Sequence, residues 1–197
     1  GGTATEPADY TLAATITIPV GNFSAAVVLT AKDDAPLDEE NETVTITASC
    51  GDGTCSGTSA QTVNILDTTA LPTVTLTTVG GIQINEKTGA TSTTVRATLS
   101  AVSAKLVTVT LTASGTASAT PAPTVADYTL PLTITISVGS SFGSVTLAAV
   151  SDDPLDEVDE TVIIDMTCNE TCTEGSSDGA GVEKETVTIV DETALPT

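Results

Sequence analysis

Twelve carboxylates stand in two short stretches, Asp33, Asp34, Asp38, Glu39, Glu40 and Glu42, then Asp152, Asp153, Asp156, Glu157, Asp159 and Glu160. Each stretch follows an apolar run (AVVLTAK or SVTLAAV) and leads into an ETV that opens the next. Charges packed this closely lie within the Debye length of about 8 Å, so salt screens their repulsion only in part. A calcium ion would offset it, because Ca²⁺ takes about six to eight oxygen ligands and suits flexible, carboxylate-rich loops. The plain alternative is a solvated turn whose charge keeps sheet edges from pairing. Asp127 and Asp191 are expected at the same end of the fold, which favours calcium.

Other chemistry is scarce. The chain has no His and no Trp, with 2 Tyr, 2 Phe and 1 Met, so imidazole-dependent nucleophiles and imidazole metal sites are excluded. Carboxylate pairs are the only catalytic candidates left. Few aromatic rings are available for stacking on sugars or bases. We therefore expect no enzyme. With 5 Lys+Arg against 26 Asp+Glu, the net charge of −21 argues against nucleic acid and anionic lipid as partners. Disorder needs low hydropathy as well as charge, and the mean hydropathy is +0.24. The chain should fold, and it holds no apolar run long enough for direct membrane insertion.

Four cysteines form two close pairs, Cys50 with Cys55 and Cys168 with Cys172. Short disulfide loops or one four-thiolate zinc site would both use such pairs. Their equivalent placement in separate halves of the chain favours local disulfides, hence an oxidising, extracellular or cell-surface location. The sequons at Asn22, Asn41 and Asn169 point the same way.

The elements that must position the acids repeat. ADYTL at 8–12 recurs at 126–130, and TITI at 15–18 recurs at 133–136. PLDE, ETV and the first cysteine of each pair recur at the same offset of 118, and TALPT recurs after 124. One complete unit spans 74–197, and 1–73 is the later part of another, with the equivalent of 74–113 absent. Either a longer tandem array or strands from another chain would complete it. The segments 74–78, 94–100, 107–112, 133–136, 144–148, 161–167 and 185–190 alternate apolar residues with Thr or small polar ones, the signature of half-buried strands. Seven or so strands in one unit predict an all-β fold, an immunoglobulin-like antiparallel β-sandwich in tandem repeats. Tyr10 with Tyr128, and Phe23 with Phe142, are expected as packing anchors.

The unit resembles the Calx-β domain, the immunoglobulin-like module of sodium/calcium exchangers, integrin β4 and many large extracellular proteins. The resemblance spans the chain and rests on INEKTG (84–89), ATLS (97–100), VTVTLTASGTA (107–117), ADYTL and DDPLDEVDETV (152–162). It implies Ca²⁺ held by Glu86, Asp127, Asp152, Asp153, Glu157, Glu160 and Asp191. In the first unit the matching acids are Asp9, Asp34, Glu39, Glu42 and Asp67, a weaker site in which Ala35 replaces one acid and Asp33 partly substitutes. The strand that would bring a counterpart of Glu86 is absent there. The expected role is a calcium-binding structural module of an extracellular tandem-repeat protein, in adhesion or as a fibre subunit. Its partners would be neighbouring repeats, identical chains by strand complementation, or a cell-surface or matrix protein. A calcium sensor that reorients a partner domain is the alternative.

Overall fold

Alternation of β-branched and small side chains produces strands wherever a neighbour is available to pair with them. The computed structural model describes residues 1–33, 36–37, 39–50, 56–86, 91–119, 126–151, 158–175 and 184–191. Every regular element among them is a strand, and no helix is long and apolar enough to cross a membrane. The chain divides into two compact units, Gly1–Ala70 and Leu71–Thr197.

The first unit carries β1 (Tyr10–Leu12), β2 (Leu29–Ala31), β3 (Glu42–Ser49) and β4 (Thr58–Ile65). They form two antiparallel pairs, β1 with β2 and β3 with β4. Val44 is its one fully buried hydrophobic residue among those described.

The second unit carries β5 (Thr73–Val79), β6 (Gln83–Asn85), β7 (Ser92–Leu99), β8 (Val107–Gly115), β9 (Tyr128–Thr129), β10 (Thr133–Ile136), β11 (Phe142–Ala149), β12 (Glu160–Cys168), β13 (Thr173–Glu174) and β14 (Lys184–Val190). Two five-stranded sheets result, ordered β10-β8-β12-β14-β6 and β13-β5-β7-β11-β9. All pairings are antiparallel except β6 with β14 and β13 with β5 at the edges. The expected sandwich is therefore observed, with its core between the sheets. Val107, Val109 and Leu111 of β8 and Val162, Ile164 and Met166 of β12 meet Leu76 of β5, Val95 and Ala97 of β7 and Leu147 of β11, each at most 2% exposed. The intervening Thr side chains face outward, as the two-residue period of a strand requires. Cys168, the last residue of β12, forms a disulfide with Cys172. Cys50 is disulfide-bonded as well, and Cys55 lies outside the described residues.

The two phenylalanines correct the sequence reading. Phe23 is fully exposed and Phe142 is 50% exposed, so neither anchors a core. On β11 the inward positions are Gly143, Leu147 and Ala149, and strand parity puts Phe142 outside. The guanidinium of Arg96 covers its ring at 4.6 Å from the centroid. Tyr128 is buried at 4% exposure, as expected, whereas Tyr10 is only half-buried.

Candidate metal centre

Strand order gathers acids that are far apart in sequence. Asn85 lies in parallel register with Val190, so Glu86 leaves β6 beside the end of β14, where Asp191 follows. The Glu86 N–H donates to the Val190 carbonyl at 3.4 Å. Glu160 opens β12 opposite Ile189 of β14. Three acids thus stand at one end of one sheet.

Asp127 comes from the facing sheet, one residue before β9. Its backbone N–H donates to the Ser118 carbonyl at 2.9 Å, and its Oδ2 accepts the Ser118 N–H at 2.5 Å. Its own carbonyl accepts the Val150 N–H at 2.9 Å. These three bonds fix the carboxylate before any ligand is considered. Ser118 is in turn placed by Gly115, Thr116 and Ala117, the last two donating to the Thr161 carbonyl at 3.0 and 3.1 Å.

Carboxylate oxygens of Glu86, Asp127 and Glu160 all lie within 4.8 Å of one another. Glu86 and Asp127 are 9% and 7% exposed, and Glu160 is half-buried. Calcium binds oxygen at about 2.3–2.6 Å, so two of its ligands stand at most about 5 Å apart, and this trio meets that limit. The donor set is all hard oxygen, with no imidazole in the chain, which suits Ca²⁺ and not zinc. Beside the trio, burial first and the Asp127 charge second push the Tyr128 hydroxyl above its ordinary pKa. Of the seven residues expected to bind, Glu86, Asp127 and Glu160 come together, and Asp191 follows the adjacent strand end. Asp152, Asp153 and Glu157 lie outside the described residues.

The first unit repeats the geometry on its own residues. The Asp9 N–H donates to the Thr5 carbonyl at 2.9 Å, its Oδ2 accepts the Thr5 N–H at 2.5 Å, and its carbonyl accepts the Lys32 N–H at 2.9 Å. The Thr5 backbone bond is the main reason that Asp9 sits below the usual carboxylate range. Asp9, Glu39, Glu42 and Asp67 line one cavity of about 320 Å³, together with Asp33 and Glu40. Asp67 is held by Thr69, whose N–H and hydroxyl donate to its Oδ1 at 2.7 and 2.6 Å, while its own N–H donates to Asn41 Oδ1 at 3.0 Å. Asp34 lies outside the described residues.

Glu40 stands in the acidic stretch but aligns with Val158 in the second unit, so the repeat did not assign it to the ligand set, although it lines the first cavity. The supports Thr5 and Ser118 are not acids, and sequence reasoning missed them. Their signal was the shared Gly-Thr-Ala at 2–4 and 115–117.

Fold and site together define a β-sandwich with a carboxylate cluster at one end. No family model and no curated protein matches the chain. Among solved structures it is similar to the apo form of the Calx CBD1 domain, at 14% identity and TM-score 0.44, covering 62% of this chain and 99% of that one. It is also similar to CBD12 from CALX1.2, at 18% identity and TM-score 0.40, covering 56% and 40%. A third is the ASH/PapD-like domain 7 of human CEP192, at 8% identity and TM-score 0.38, covering 64% and 89%.

Proposed function

We propose that this chain is a calcium-binding structural module of an extracellular tandem-repeat protein, working in surface adhesion or as a fibre subunit. The observation that carries the calcium part is the convergence of Glu86, Asp127 and Glu160 within 4.8 Å, two of them buried. Asp152, Asp153, Glu157 and Asp191 complete the proposed ligand set in the second unit. Asp9, Asp34, Glu39, Glu42 and Asp67 form a weaker site in the first. The extracellular part is supported by the Cys168–Cys172 disulfide, since such bonds persist in oxidising surroundings. The structural part is supported by the repeat and by a histidine-free composition that leaves little catalytic chemistry. Assembly with other chains belongs to the same reading.

Calcium at a hundredfold excess over its Kd would stabilise the second unit by about 2.7 kcal/mol. At roughly 4 °C per kcal/mol for a unit of this size, chelation should lower its Tm by about 10 °C. Scanning calorimetry with calcium and with chelator measures this directly. A Glu160→Gln chain should lose most of the difference while keeping its calcium-free Tm. An unchanged Tm after chelation would leave the acids as a charged sheet end and end the calcium reading.

A further inference from the structure

The loop closed by the Cys168–Cys172 disulfide reads Cys-Asn-Glu-Thr-Cys, an Asn-X-Thr acceptor triplet enclosed whole between the two cysteines. The equivalent stretch of the first unit opens with Cys50 and Gly51, so the triplet is not part of the repeat. Whether a folded unit can carry a sugar at Asn169 depends on which atoms of that side chain the fold already uses.

The fold uses the oxygen. The Asn169 N–H donates to the Thr108 carbonyl at 3.2 Å, and its Oδ1 accepts the Thr108 N–H at 3.3 Å, so backbone and side chain together extend the β8–β12 ladder one residue past Cys168. The Thr171 hydroxyl donates to the same Oδ1 at 2.8 Å and stands 3.2 Å from the Leu106 carbonyl. The Cys172 N–H closes the turn on the Asn169 carbonyl at 3.3 Å. The Nδ2 amide makes no hydrogen bond among the described residues, and residue 169 is exposed. An asparagine that gives its oxygen to the fold and its nitrogen to solvent can be substituted at nitrogen with every one of these bonds intact.

We infer that Asn169 is an N-glycosylation site whose sugar the folded second unit retains and displays. This rests on the extracellular part of the proposed function. In the transfer, Nδ2 bonds to the anomeric carbon of an oligosaccharide carried on a polyprenyl diphosphate. The bond from that carbon to the diphosphate oxygen breaks, the diphosphate leaves with the electron pair, and one Nδ2 proton passes to a base of the transferring enzyme. Nothing is oxidised or reduced. The product keeps Oδ1 and one N–H, so the turn closes around it as it does around the bare side chain.

Position gives the sugar a role. Glu160 opens β12 and Cys168 ends it, so at about 3.3 Å per residue the sugar stands about 26 Å along the strand from the acid cluster, at the other end of the sandwich. There it adjoins the segment by which the chain enters the unit, since the Thr173 N–H donates to the Pro72 carbonyl at 3.0 Å. Leu106, 51% exposed, lies beside Thr171 and offers an apolar surface for the sugar to cover. One end of the unit would then hold an ion and the other a bulky, hydrated, solubilising group.

The test is secretion of the full chain from eukaryotic cells, then proteolytic mapping with and without a glycosidase that cleaves the Asn–sugar bond and leaves Asp. Most secreted molecules should carry sugar at Asn169, with Cys168 and Cys172 bridged in those same molecules. Amide exchange at Thr108 should be as slow in the glycosylated chain as in an Asn169→Asp chain, which keeps the Oδ1 acceptor and cannot be modified. In an Asn169→Ala chain it should be about tenfold faster, as loss of the bond to Oδ1 requires. A secreted, disulfide-bonded chain with a bare Asn169 would overturn the proposal and leave the extracellular reading standing. Sugar confined to molecules with reduced cysteines would overturn it as well, as would Thr108 exchange as fast with sugar as in the Asn169→Ala chain. A chain retained in the cell with Cys168 and Cys172 reduced would sink the extracellular reading and the proposal with it.

Discussion

Gly115→Ala isolates the turn that holds Asp127. Gly115 has φ of +123°, and a Cβ built there would stand 2.1 Å from the Thr161 carbonyl oxygen and 3.2 Å from Thr161 Oγ1. That carbonyl is the acceptor for the Thr116 and Ala117 N–H groups, and Ser118, next in line, donates to Asp127. A methyl group must therefore displace a backbone acceptor. The left-handed conformation costs a non-glycine residue about 1–2 kcal/mol, and two disturbed hydrogen bonds cost about 1 kcal/mol each. Together the loss is about 3–4 kcal/mol, or a Tm drop of roughly 12–16 °C for the second unit. Gly139→Ala is the internal control. Its φ is +75° but nothing stands within 4 Å of the added Cβ. Only the backbone cost of about 1–2 kcal/mol remains, roughly 4–8 °C. Scanning calorimetry on both variants gives the comparison. Equal Tm losses, or a Gly115→Ala chain within about 1 kcal/mol of the parent, would refute the argument that the Thr161 carbonyl occupies that space.

The units should also differ in their response to core truncation. Leu147→Ala removes a side chain with 0% exposure and should cost about 3 kcal/mol in urea unfolding, within the range for buried leucines, whereas its half-buried counterpart Leu29→Ala should cost under about 1 kcal/mol. Comparable losses would mean that the first unit is closed in solution. Replacing Cys168 and Cys172 together by serine opens a loop of sequence separation 4, for which loop-closure entropy gives about 2 kcal/mol. A urea midpoint unmoved by the double change would show that β12 does not depend on the bridge.

Strands of the second unit were legible wherever period-two alternation ran for four or more residues, as in β5, β7, β8, β10, β11, β12 and β14. The short β6, β9 and β13 were not, since two or three residues carry no period, and tertiary pairing alone defines them. Residues 15–18 show the opposite failure. A perfect strand pattern stays irregular there, where no strand pairs with it among the described residues. Phe142 was misjudged because equivalence between repeats tells that a residue recurs, not which face of the strand it occupies. At the site, the acids were legible as acids, and the repeat pointed to their common location. That Glu86 reaches Glu160 depends on the parallel pairing of β6 with β14, which no local pattern announces.

Residues 74–113 bring two things to the second unit. They hold β7 and β8, which pair with β11 and with β10 and β12 and so cover its apolar face, and they hold Glu86, the acid that β6 delivers. Cover and candidate ligand are therefore encoded in one stretch of chain, and the parallel pairing of β6 with β14 ties the acid cluster to the edge of the same sheet.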